Sequence, residues 1–224
     1  MNAYPHYDFI VVGAGSAGCV LANRLSRDVK NRVLVLEAGP LSPGMYSRIP
    51  AAVFKAYSNP ATGWGYKSQP EPALFGRTIP IPRGRVAGGS SSINAMVHLR
   101  GHPEDYDGGE KQGARGWNYA ACLPYFKRLE TSDGGGNSYR GGSGPVFAAR
   151  GRLRNPIYES FLLSAQACGH PLSPDLNGEQ AEGFSRLQAT IRKGARCGAA
   201  AAYLQPALKR ENCEIVTNAV ATRL

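Results

Sequence analysis

The chain has 224 residues, 42% of them hydrophobic, with 28 Gly, 16 Pro and a net charge of +10, a length that allows one large domain or two small ones with many turns. The basic residues fall in short groups (Arg83/Arg85, Arg150/Arg152/Arg154, Arg192/Lys193/Arg196) without a continuous run or an interleaved aromatic ladder, which argues against a nucleic-acid partner. Five cysteines without a CxxC, four histidines without metal-ligand spacing and no apolar run of membrane-spanning length point to reduced thiols, no metal and no transmembrane segment.

The first strand is expected at Phe9 to Val12, a short apolar run ending at Gly13. It starts within ten residues of Met1, which leaves no room for a signal peptide and fits a cytoplasmic location, with peripheral membrane association left open. Gly13, Gly15 and Gly18 form Gly-x-Gly-x-x-Gly, and behind them Ala17, Val20, Leu21 and Leu25 recur at helical spacing. A second apolar run, Arg32 to Leu36, ends on Glu37. Strand, glycine turn, helix, strand and acid in this order make a dinucleotide site. Gly13 and Gly15 let backbone N–H groups approach a pyrophosphate, and Gly18 lets the helix lie close on the strand. Hydrogen bonds from amides to charged oxygens contribute about 1.5–3 kcal/mol each, against about 0.3–1 kcal/mol from the helix dipole. Glu37 accepts from ribose hydroxyls. These residues do not choose between FAD and NAD.

Residues 41–85 carry seven prolines (43, 50, 60, 70, 72, 80, 82), which forbid long helices and central strands. Phe54, Tyr57, Trp64, Tyr66 and Phe75 argue against disorder and for a segment covering a ligand. In the next stretch, Gly88 and Gly89 offer a second close approach of backbone to a ligand. Ser90 to Ser92 are expected to cap a helix over Ile93 to Val97.

The first motif together with Gly84-Arg-Val-Ala-Gly-Gly-Ser-Ser-Ser-Ile-Asn resembles the glucose–methanol–choline (GMC) family of FAD-dependent oxidoreductases. Trp64-Gly-Tyr-x-x-Gln-Pro, Arg100-Gly-His-Pro-Glu-Asp-Tyr-Asp, Gly116-Trp-Asn-Tyr and Leu123-Pro-Tyr-Phe-Lys-Arg are similar to the same family, so the resemblance runs from about Tyr7 to Leu224. It implies FAD as cofactor and oxidation of a CH–OH group, with hydride passing from alcohol to flavin N5. Carried over by position, it sets the pyrophosphate at Gly13, Gly15, Ser16, Ala17 and Gly18, and the adenosine ribose at Glu37 and Ala38. Trp64, Val86, Gly89, Ser90, Asn94, Ala95, Met96 and Val97 fall along the rest of the cofactor, and Val220 at the adenine. Ile93 stands where some relatives carry a histidine bonded covalently to flavin, so the FAD is expected to be non-covalent. Ala87, Gly109 and His98 depart from the family's bulky aliphatic, Trp and aromatic. Such truncations cost about 2–5 kcal/mol where the site is packed. His98 reads first as a surface or pocket-wall substitute and only second as a catalytic base.

From Asn118 the pattern is helical, with Cys122, Tyr125, Phe126 and Leu129 on one face and Pro124 restarting the helix. Ser132 to Pro145 reads as a flexible connection, Asn155 as the cap of a helix that Gly169 stops, and Phe184 to Arg192 as a half-buried strand. The Ala-rich run from Arg196 is expected to be helical as far as Pro206, and Glu214 to Thr217 to return as a strand.

The expected fold is therefore α/β: a doubly wound, Rossmann-like FAD-binding domain, discontinuous over 5–60 and 190–224. A flavin-covering lid (61–85), an FAD-interface segment (86–142) and the start of an α+β substrate-binding domain (143–189) lie between. By the resemblance, the catalytic His and its His or Asn partner lie beyond Leu224 and the C-terminal part is missing, so no catalytic residue is assigned. The expected partners are a small alcohol and an electron acceptor, oxygen or a quinone. A non-catalytic flavin-binding protein and an NAD-dependent dehydrogenase are the competing readings. A chain that stops there is also expected to leave apolar surface bare on Val11, Leu34, Leu36 and the Ala-rich helix.

Overall fold

The structure, a computed structural model, describes residues 5–151 and 155–223. Arg152 and Arg154 of one basic group, and Leu224, lie outside the described residues. The described residues form two compact units, one from the stretch ending at Met96 together with the stretch beginning at Lys193, the other Val97–Arg192.

The first unit begins with strand β1 (Phe9–Val12), helix α1 (Ser16–Leu25) and strand β2 (Val33–Glu37). β1 and β2 are parallel, with Phe9 opposite Val33 and Val12 opposite Leu36. In β2, Val33, Val35 and Glu37 are buried while Leu34 and Leu36 are half-buried, which is why the run reads as continuously apolar. The short helices α2 (Met45–Arg48) and α3 (Val53–Tyr57) follow. Residues 63–84 then fold back as an antiparallel arm bridged at Gly63/Gly84, Lys67/Pro80 and Glu71/Arg77. Its prolines leave no room for more regular pairing. The helix expected over Ile93 to Val97 does not form. A single 3-10 turn, Gly89–Ser92, takes its place. Gly88 and Gly89 have φ of 89° and 54°, and Met96 has 64°, so left-handed backbone flanks the serines and a helix cannot propagate.

The second unit opens with α4 (Pro103–Lys111) and α5 (Tyr119–Leu129). The Asp105 carboxylate accepts from His102 N–H, and Asn118 Oδ1 accepts from Ala121 N–H, so each helix start is satisfied. Pro124 does not restart α5, which runs through it. Ala120 and Pro124 are both exposed, so the carbonyl that loses its partner faces water. A Cβ at Gly109 would meet nothing within 4 Å, so glycine there leaves no packed volume empty. Strand β3 (Glu130–Ser132) pairs in parallel with β4 (Val146–Arg150), and β4 pairs antiparallel with β5 (Gln188–Ala189). Between them α6 (Pro156–Ala167) is capped by Asn155 Oδ1, which accepts from Ile157 N–H. The strand expected from Phe184 to Arg192 is reduced to β5 and β6 (Ile191–Arg192).

Returning to the first unit, β7 (Ala195–Arg196) leads to the Ala-rich run. This run is a π-helical turn, Ala200–Leu204, joined to α7 (Gln205–Ala207), so it passes through Pro206 instead of ending there. Pro206 supplies no N–H and its ring would crowd the carbonyl one α-turn back; the wider π turn accommodates both. Asn23 of α1 donates through Nδ2 to Tyr203 O at 2.8 Å, tying the two helices together inside the core. Finally β8 (Cys213–Thr217) pairs with β2 on the edge away from β1, giving the order β1-β2-β8. Val11 and Leu204 are buried and Leu34 and Leu36 half-buried; the exposed apolar residues of the sheet are Phe9, Ile10, Val12 and Val216. The outer edge strands, not the middle one, carry the bare surface.

Candidate functional site

The glycine turn sits at the C-terminal end of β1. Gly18 packs so closely that a Cβ there would fall on Gly13 O, whereas a Cβ on Gly13 or Gly15 would meet nothing within 4 Å. The first turn of α1 carries no side-chain cap, and Ser16 and Ala17 are exposed. Open space, uncapped amides and the positive end of a helix therefore coincide, an arrangement suited to an anion. Cys19 lies beneath the turn, its Sγ donating to Ala14 O at 3.2 Å. Burial pushes its thiol up to about 12, so it stays a protonated donor.

Glu37 is buried at the end of β2. One carboxylate oxygen accepts from Ala14 N–H and the other from Gly39 N–H, both at 2.8 Å. The acid thus fastens the glycine turn to the end of the next strand, and each oxygen keeps lone-pair capacity for a hydroxyl donor. Ala38 beside it is half-buried. Ala219 N–H donates to Glu37 O at 2.9 Å and Asn218 N–H to Gly39 O at 3.0 Å, which fixes the approach to exposed Val220 beside Glu37.

The second glycine turn meets the first. Gly88 N–H donates to Ala14 O at 2.7 Å, and a Cβ on Gly89 would lie 2.8 Å from Gly15 Cα. Val86 is fully buried behind the turn, and Ser90 Oγ accepts from Gly84 N–H at 3.1 Å. Asn94 and Ala95 are exposed, and Met96 is buried. Trp64 stacks on Tyr66 with ring centroids 6.0 Å apart, and both are substantially exposed on the arm. Gly13, Gly15, Ser16, Ala17, Gly18, Glu37, Ala38, Gly89, Ser90 and Val220 are thus drawn around one strand end. Val97 belongs to the second unit, where it bridges to Ala189.

Sequence reasoning passed over three residues. Gly39 donates to Glu37, and a Cβ on it would fall on Arg85 O; a Cβ on Gly84 would fall on Gly89 O. Gly84 stands inside a quoted motif and Gly39 lies two residues past the acid that ends the second apolar run, which was the available signal. Arg196 bonds to Ser47, Ser91 and Asn94, and nothing in its local sequence marks it.

His98 lies in the second unit and is neither a surface residue nor free. Its Nε2 donates to Glu130 Oε2 at 2.6 Å. The same carboxylate accepts from Arg100, from Arg140 and from Gly141 N–H. Arg140 in turn binds Asp175 at 2.6 Å. Burial pushes the Glu130 carboxyl up, but His98, Arg140, Gly141 N–H and the Arg100 charge outweigh it and hold it at about 2. No group of His, Cys, Asp and Glu able to hold a metal occurs among the described residues.

A Rossmann-like strand–glycine turn–helix unit, completed by a second glycine turn, defines a dinucleotide-binding α/β protein. The GMC oxidoreductase family profile matches residues 7–224, and the chain belongs to this family. The mitochondrial choline dehydrogenase of Mus musculus is 45% identical over 225 residues, covering 97% of this chain and 38% of its own length. An oxygen-dependent choline dehydrogenase of Rhizobium etli is 50% identical over 209 residues, covering 93% of this chain and 38% of its own. Among solved structures, pyridoxine 4-oxidase from Mesorbium loti matches with a TM-score of 0.88 at 33% identity, over 95% of this chain and 42% of that one. An FAD-dependent oxidoreductase from Chaetomium thermophilum matches with a TM-score of 0.81 at 32% identity, over 94% of this chain and 38% of that one. The chain thus spans about two-fifths of the length of these relatives.

Proposed function

We propose that this chain is the FAD-binding portion of an oxidoreductase acting on CH–OH groups, of the choline or alcohol dehydrogenase type. The observation that carries the reading is the meeting of the two glycine turns at Gly15 and Gly89 beside Glu37. Bound FAD supplies the hydride acceptor for alcohol oxidation. Gly13, Gly15, Ser16, Ala17 and Gly18 hold the pyrophosphate through backbone N–H groups, and Glu37 with Ala38 holds the ribose. Val220 lies at the adenine. Trp64, Val86, Gly89, Ser90 and the run Asn94 to Val97 serve the flavin end. The cofactor is held without a covalent bond: Ile93 is apolar and only 2% exposed, and offers no nucleophile.

The domain reading follows from the same assignment: 5–60 with 190–224 bind FAD, 61–85 cover it, 86–142 border it, and 143–189 begin the substrate domain. The electron acceptor is oxygen or a quinone, with oxygen supported by the name of the Rhizobium etli relative. A cytoplasmic setting is supported by five cysteines with no disulfide between them among the described residues. No helix among the described residues is long and apolar enough to cross a membrane. The test is a titration of the purified chain with FAD, followed by acid precipitation. Flavin fluorescence should change saturably, and the yellow colour should then appear in the supernatant. An unchanged flavin signal sinks the FAD assignment, and colour retained in a washed pellet sinks the non-covalent one.

A further inference from the structure

We infer that Arg196 is a positioning residue for the flavin end of the proposed site, acting through the side chain of Asn94. The inference rests on the FAD reading above. Arg196 Nη1 donates to Asn94 Oδ1 and to Asn94 O, both at 2.7 Å, and to Ser91 O at 3.2 Å, while Nε donates to Ser47 O at 2.6 Å. One planar guanidinium therefore ties helix α2 to the turn that carries Ser91 and Asn94 in the same unit, a task its fixed fork suits and a lysine's single head does not. No carboxylate pairs with it among the described residues. Its Nη2 is buried and has no hydrogen-bond partner among the described residues. Burial pushes this guanidinium downward from its ordinary range. A cation placed so expensively, with only neutral oxygens around it, is not explained by ion pairing.

What the arrangement accomplishes is to fix Asn94. Its Oδ1 accepts from Arg196 Nη1 and from Met96 N–H at 3.1 Å. Two donors on one oxygen settle which end of the carboxamide is which. Among the described residues no hydrogen bond is made by Nδ2, so on this exposed residue both its hydrogens can be offered to an acceptor outside the protein. The Met96 contact also closes a local turn that holds Met96 at φ 64°, a conformation non-glycine residues rarely keep without support. Arg196 thus sets both the direction of the Asn94 donors and the backbone course just after them.

The experiment compares FAD with ADP, which carries only the adenine half of the cofactor, on the parent chain, Asn94→Ala, Arg196→Met and the double variant. FAD is followed by flavin fluorescence and ADP by calorimetry. Each single variant should weaken FAD by about tenfold and leave ADP unchanged. The double variant should be no weaker than the poorer single one, because Arg196 works through Asn94. Unchanged FAD affinity in Arg196→Met overturns the inference. So does an equal loss for both ligands, which marks a merely structural role, or losses that add in the double variant. If Arg196→Met does not fold by circular dichroism, Arg196→Lys takes its place: weaker FAD with unchanged ADP supports the inference, and unchanged FAD overturns it. A parent chain that binds ADP but not FAD defeats the FAD reading itself, which is a distinguishable result.

Discussion

Glu37 shows how one side chain can be legible in type and yet incompletely read. The acid at the end of a second strand is visible in the spacing, and so is its capacity to accept from a ribose. Its bonds to Ala14 and Gly39 N–H are not, because they depend on the turn closing back over the strand. Glu37→Ala is therefore expected to weaken the empty protein as well as ligand binding. Each buried N–H left without its acceptor costs about 1–3 kcal/mol. Urea unfolding without FAD should show a lower midpoint for Glu37→Ala, and an unchanged midpoint would return Glu37 to a purely ligand-binding role. Glu37→Gln keeps one acceptor but turns an NH2 toward a backbone donor, so it should fall between the two. Gly84 was legible in the same partial way, as a member of a motif whose steric partner only the fold supplies.

At the scale of elements, the buried cluster beginning at β3 was invisible in the sequence. Glu130 is a lone acid at the end of an amphipathic helix; its partners His98 and Arg100 come from one segment and Arg140 from another, and Asp175, which pairs with Arg140, from a third, with no common spacing. Capping was legible because it is local: Asn118 and Asn155 each stand at the start of the helix they cap. The cluster makes a pH prediction. The Glu130 carboxyl is depressed in the folded state, so its stabilisation is fully present above its ordinary value of 4.5. It is lost as pH falls through about 2. Stability of the second unit, followed by near-ultraviolet ellipticity, should decline across that window. Glu130→Gln should flatten the decline and cost about 3–5 kcal/mol near neutral pH, since it leaves Arg100 without its anion and Arg140 with Asp175 alone. A decline that persists in the variant would assign the acid sensitivity elsewhere.

For the whole molecule, the strand–turn–helix–strand opening was readable because the pairing of β1 with β2 and the connection through α1 are close in sequence. The strand at Cys213–Thr217 was readable as a strand, but its seat against β2 was not, because pairing across so long a separation leaves no periodic trace. The helix expected after Ser92 failed for a backbone reason, the left-handed residues at 88, 89 and 96, which side-chain patterning does not encode. The exposed residues Phe9, Ile10, Val12 and Val216 likewise follow from strand order alone.

The seating of β8 on β2 has a consequence for how the protein is made. A ribosome releases Val33–Glu37 well before its outer partner Cys213–Thr217, and at roughly 5–20 residues per second the interval is about 10–35 s. During that interval the nascent chain exposes an apolar strand with one edge open to any other strand that arrives. The second unit, unbroken in sequence from Val97 to Arg192, is fully delivered first. Chains arrested just before Cys213 should therefore leave the β2 amides unprotected in hydrogen exchange and recruit chaperones on the ribosome. Chains arrested far enough past Thr217 to clear the exit tunnel should show β2 protected. Equal protection of β2 at both arrest points would mean that the early strands find their fold without waiting for the late one.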